Sequence, residues 1–184
     1  SLTERLAEVV KRAEDLLRKL NEENKKNVED VERTLRKLNK DLKDSVDRSR
    51  REAEKLIRRK KDSKDLARKL KKVVEDSKEL VDRLMEENKR SIERSRDLVR
   101  RVKETNEEVL REIRRLLEEL SRLTDKDAIE KVLEDIERVL REVEKRNRET
   151  SRDSERLLRR NEEENRKALE RDEKVLKEVA DEVE

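Results

Sequence analysis

The stretch Leu56-Ile57-Arg58-Arg59-Lys60-Lys61-Asp62-Ser63-Lys64-Asp65-Leu66 decides the fold. On both sides of it apolar residues recur at alternating steps of three and four, which places them on one face of a helix. Between Arg58 and Lys64 that phase is lost. The basic run Arg58 to Lys61 suits the negative C-terminal pole of a helix, and Asp62 or Ser63 can cap a new one with Asp65 in its first turn. A second loss of phase falls between Leu123 and Asp127, where Thr124 and Asp127 have capping-box spacing, as do Ser1 and Glu4 at the start of the sequence. A single uninterrupted helix is the competing reading, and the two phase losses weigh against it.

Two breaks divide the sequence into three helices, about residues 2–60, 64–122 and 126–183, with turns near 61–63 and 123–125. At about 1.5 Å rise per residue each would run to about 87 Å. Turns this short force sequential helices to lie antiparallel. The expected fold is all-α: three long antiparallel helices in one elongated, coiled-coil-like bundle domain spanning residues 1–184. The stripe also tells of straightness. Leu2, Leu20, Leu38 and Leu56 recur at one constant spacing, as do Leu66, Leu84, Val102 and Leu120, and that spacing equals five turns of an ideal helix. Val10, Leu17 and Ile57 widen the stripe, so each helix is expected to touch two neighbours.

Composition supports helices over disorder. Charged residues make up 57% of the 184 residues and apolar ones 30%, which by itself is a disorder signature. Yet 54 basic residues stand against 51 acidic ones, finely mixed, and Gly and Pro are both absent. What remains is Leu, Glu, Lys, Arg and Ala, the strongest helix formers. Charge is uneven between segments: 20 basic and 14 acidic residues in 1–61, but 16 and 21 in 124–184. First and third helices are therefore expected to attract each other.

Polar residues interrupt the apolar stripe at intervals, and folding the sequence at its two breaks sets them level. Residues opposite each other should have numbers summing to about 125 for the first two helices and about 249 for the last two. Asn21 and Asn24 then meet Thr105 and Asn106, which meet Asn147. Thr34 meets Ser91 and Ser95, near Ser154. Asn39 meets Asn88, which meets Asn161. Ser45 and Ser49 meet Ser77, which meets Asp172. Stacked layers of buried hydrogen bonds are expected, since an unpaired buried amide or hydroxyl costs about 1–3 kcal/mol and penalises every misregistered pairing. Asn27, Thr150, Ser151 and Asn165 also lie on the interrupted stripe. Asp172 can join a layer or pair with a cation at the bundle edge.

Much chemistry is excluded by the residue inventory. Without His or Cys there is no ordinary nucleophilic triad, no usual zinc set and no Glu–His di-iron motif. No glycine-rich loop can cradle phosphate. Glu162, Glu163 and Glu164 read as a solvated face rather than a catalytic carboxylate set. No enzyme activity, cofactor, metal or small-molecule substrate is expected. Arg48 to Lys61 holds eight basic and two acidic residues, but without aromatics to stack on bases it implies at most weak, salt-sensitive attraction to polyanions, not specific nucleic-acid binding. No apolar run is long enough to cross a membrane, and no signal-peptide core opens the sequence.

The whole chain resembles a de novo designed helical bundle carrying modular buried hydrogen-bond networks. The resemblance rests on three near-equal helices, Leu/Val/Ile cores without aromatics, capping motifs, Glu/Lys/Arg surfaces and Asn/Ser/Thr layers in register. Turns without Gly or Pro depart from the commonest pattern of such designs. The resemblance implies a scaffold with no natural compartment, soluble and cytoplasmic when expressed recombinantly. Its three helices would either close on themselves or accept a partner helix, or a second copy, as one component of a heterodimer or homo-oligomer. A natural coiled-coil tether is a third reading.

Overall fold

A computed structural model describes residues 2–60 and 62–183, with side chains described for 4–60 and 62–181. Three α-helices of 58 residues each follow one another: α1 Leu2–Arg59, α2 Lys64–Ser121 and α3 Lys126–Val183. No strand occurs among the described residues. The helices form an all-helical bundle, as the apolar periodicity predicts.

Neither turn contains glycine, and among the described residues none has positive φ, the backbone region that favours it. After α1 the chain closes with the Lys60 N–H on the Leu56 carbonyl (3.2 Å) and the Ser63 N–H on the Lys60 carbonyl (3.1 Å). Ser63 then starts α2. Its Oγ accepts from the Leu66 N–H at 3.3 Å while its carbonyl accepts from Ala67 at 3.2 Å. That is N-cap geometry, and it assigns to Ser63 the role shared with Asp62 in the sequence reading.

The end of α2 tightens into i→i+3 bonds, Arg122 to Glu119 at 3.0 Å and Leu123 to Leu120 at 3.1 Å. Asp125, not Thr124, caps α3: its carboxylate accepts from the Asp127 N–H at 3.3 Å and its carbonyl from Ile129 at 3.1 Å. A carboxylate at this position satisfies an orphan donor and also meets the positive pole of the helix dipole, which a threonine hydroxyl cannot do. Ser1, the other expected cap, lies outside the described residues.

Contacts divide the chain into two compact units, each taking a stretch of all three helices. In the first, Ser1–Asp30 with Arg94–Glu155, the core joins Ala13, Leu17 and Leu20 of α1 to Val109 and Ile113 of α2 and Ile136 and Val143 of α3. Leu120, Ile129 and Leu133 form a further cluster in it beside the α2–α3 turn. In the second, Val31–Glu93 with Arg156–Glu184, Leu42 and Val46 pack with Val81, Leu84 and Ala168, and Val31 and Leu35 with Ile92. Burying a leucine such as Leu35, Leu42 or Leu70, each fully enclosed, contributes about 2 kcal/mol.

Candidate functional site: polar layers in the helix core

Asparagines supply the most organised polar structure in each unit. In the first unit Asn106 of α2 is the hub. Its Nδ2 donates to Asn21 Oδ1 (2.8 Å) and to Asn147 Oδ1 (3.2 Å), and Asn147 Nδ2 donates back to Asn106 Oδ1 at 3.0 Å. Asn147 uses its other proton on the Val143 carbonyl (2.7 Å), and its Oδ1 takes a second donor from Asn24 at 2.7 Å. Asn24, Asn106 and Asn147 are at most 4% exposed. Both amide protons and both lone pairs of Asn147 are thus used, which is the full capacity of the side chain. One turn along, Asn27 Nδ2 donates to Ser151 Oγ at 3.1 Å.

The second unit repeats the arrangement. Asn88 Nδ2 donates to Asn39 Oδ1 (2.8 Å) and Asn165 Oδ1 (3.1 Å), and Asn165 returns a bond to Asn88 Oδ1 at 3.1 Å. Asn165 also donates to the carbonyl four residues back, that of Asn161. The members pair off between units at one constant sequence spacing: Asn21 with Asn39, Asn106 with Asn88, Asn147 with Asn165. That spacing is five helical turns, so the same face of every helix is presented twice. The repeat is not exact: the position equivalent to Asn24, for example, is Leu42, a core residue.

The third-helix partner of Asn88, which also holds Asn39, is therefore Asn165, not Asn161. Asn161 is buried, but its Nδ2 has no hydrogen-bond partner. In the repeat it stands where Val143 stands in the first unit and contributes its carbonyl to the layer. Asn161 and Asn165 are one turn apart on the same face, so counting from the turn could not separate them; the five-turn spacing from Asn147 is the signal that finds Asn165.

The serine and threonine positions behave differently. Ser77 Oγ donates to Asp172 Oδ2 at 2.7 Å, joining α2 to α3. Ser45 is buried and Ser49 half-buried, yet among the described residues no hydrogen bond joins either to that pair. Among the same residues Thr34 and Ser91 in the second unit are not hydrogen-bonded to each other, nor are Ser95 and Ser154 in the first; Ser95 is fully enclosed with an unpartnered Oγ. Side-chain reach accounts for this. Helix axes pack about 8–10 Å apart, and two one-carbon hydroxyl side chains do not span that gap, whereas a serine facing a carboxylate does. Ser95 and Ser154 are the repeat equivalents of Ser77 and Asp172, so the bonded and unbonded pairs differ in one partner, serine in place of aspartate. Thr105 is absorbed by its own helix, donating to the Arg101 carbonyl at 3.0 Å, and takes no part in the Asn106 layer.

The asparagine layers hold neutral amides, which bond directionally but offer no activated nucleophile, and the Ser77–Asp172 pair adds one carboxylate. Among the described residues no group of three acidic, His or Cys side chains is placed to hold a metal ion, and no helix is long and apolar enough to cross a membrane. One cleft of about 460 Å³ opens between α1 and α3 in the first unit, floored by Val9, Leu16 and Leu140 and rimmed by Arg12, Asp15 and Arg141 among others. Compared with family models, curated proteins and solved structures, the chain matches none.

Proposed function

We propose that the chain is a designed structural scaffold: a self-contained three-helix bundle, without catalytic activity, cofactor or obligatory partner, whose buried polar layers dictate which helices pair and in what register. The observation that carries this reading is the repeated Asn21–Asn106–Asn147 and Asn39–Asn88–Asn165 connectivity, in which every helix contributes at least one amide to each layer. A helix shifted by one residue turns its asparagine away from the hub and leaves buried amides unpaired, at about 1–3 kcal/mol for each group. Such a device favours one assembly over its alternatives at some expense of total stability. Light scattering coupled to size exclusion tests it. A mass of 22.3 kDa across a wide concentration range supports a self-contained bundle, and concentration-dependent dimers count against it.

A second reading has the three helices accept a fourth from another chain or a second copy. It draws on the cleft between α1 and α3, whose apolar floor and charged rim have the composition of a helix-accepting groove. The same scattering experiment separates the two, because an unfilled groove of this kind drives self-association as concentration rises.

A further inference from the structure

We infer that the α1–α2 hairpin of the second unit is a docking surface for the phosphate backbone of duplex nucleic acid, read without regard to sequence. Between Arg48 and Lys72 stand thirteen basic residues and four acidic ones, while the rest of that unit carries 17 basic and 21 acidic. The excess is thus local, in a chain that is otherwise charge-balanced. All twelve of the described basic residues in the segment are exposed. Arg48, Arg51, Lys55, Arg58 and Arg59 follow one another at helical steps that keep them within one stripe of α1. Among the described residues none of these five has a carboxylate within ion-pair distance; where the segment does form a pair, Arg68 with Asp65 at 3.3 Å, it lies on α2.

Three features favour nucleic-acid phosphate over an anionic membrane. Four of the five stripe cations are arginines, whose planar fork takes two oxygens of one phosphate at once. Arg48, Arg51, Lys55 and Arg58 follow one another about 5 Å apart along the helix axis, which suits a linear array of charges. The apolar residues of the segment are unavailable for insertion into lipid: Ala53 and Leu70 are buried, and Leu56, Ile57 and Leu66 are half-buried against the unit. The chain has no aromatic side chain to anchor at an interface or stack on bases, so affinity here is electrostatic and indifferent to sequence.

Anisotropy of a labelled duplex of about 20 base pairs, titrated with the full chain at several salt concentrations, tests the assignment, with a dissociation constant of about 10 μM expected at low salt and a log–log salt slope near −4. Reversing four stripe charges together, Arg48→Glu, Arg51→Glu, Lys55→Glu and Arg59→Glu, is expected to weaken binding at least about 10-fold and to remove most of that slope. Reversing four exposed cations of the first unit instead, Arg5→Glu, Lys11→Glu, Arg111→Glu and Lys131→Glu, makes the same change in net charge. It is expected to weaken binding less than about 3-fold. Circular dichroism establishes that both variants keep their helix content. An equal effect of the two variants overturns the assignment, as does tighter binding to phosphatidylserine vesicles than to duplex, or a second duplex of scrambled sequence binding differently from the first.

Discussion

Asn106 and Asn147 exchange a pair of hydrogen bonds across α2 and α3, Nδ2 of each donating to Oδ1 of the other at 3.2 and 3.0 Å. Removing one side leaves a buried amide proton and a lone pair of the other without their partners, although Asn147 keeps its bonds with Asn24 and the Val143 carbonyl. Asn106→Ala strips Asn147 of its reciprocal partner and Asn21 of its donor, and about 2 kcal/mol of stability should be lost, read as a lowered urea midpoint with an unchanged m-value.

The identity of the third-helix partner in the second layer is open to direct comparison. Replacing Asn39, Asn88 and Asn165 together by Leu removes a whole layer, and thermal unfolding should move up with some loss of a single oligomeric state. Replacing Asn39, Asn88 and Asn161 instead strands Asn165 among leucines. That variant should melt below the first; the reverse order would place Asn161 in the layer after all.

Asn161→Val puts into the second unit the residue that the first carries at the equivalent position, Val143. Because Asn161 Nδ2 is buried without a partner, the substitution should raise stability by about 1 kcal/mol, or a melting temperature higher by about 2–4 °C in a chain of this length. Calorimetry of the single variant is sufficient.

Ser95 and Ser154 offer the complementary change. Ser154→Asp recreates the Ser77–Asp172 pairing at its repeat equivalent and supplies an acceptor to the unpartnered Ser95 Oγ. Ser95→Ala, which simply deletes the unmade bond, should be neutral or slightly stabilising, in contrast with Ser77→Ala, which should cost about 1–2 kcal/mol by leaving Asp172 without its donor. Chemical denaturation of the two alanine variants reads the difference.

The helix starts differ in what they tolerate. Asp125→Ala and Ser63→Ala each delete an N-cap and should cost about 1 kcal/mol. Thr124→Ala, next to the true cap and exposed, should lie within about 0.5 kcal/mol of the parent. A large effect at Thr124 would restore it to the capping role.

Local chemistry was enough to reveal the helices. With no Gly or Pro and apolar residues recurring every three or four positions, each segment has one conformation that buries its stripe, and the loss of phase at Arg58–Lys64 and Leu123–Asp127 marks where it stops. Even the ranges agree to within about two residues at every end, because caps act over a single turn. The hubs Asn88 and Asn106 were legible for the same reason, as polar residues in an apolar stripe. What the sequence did not separate was choices one helical turn apart or one residue apart: Asn161 against Asn165, Thr124 against Asp125. Nor did it say which level hydroxyls are close enough to bond, so Ser77 with Asp172 and Ser95 with Ser154 looked alike. The choice between Thr124 and Asp125 rests on the local backbone path into α3, whereas the asparagine and hydroxyl distinctions depend on helix offsets that arise only when three apolar stripes pack together. Helix identity is a short-range property written in residue order, whereas hydrogen bonding across helices is decided by tertiary geometry.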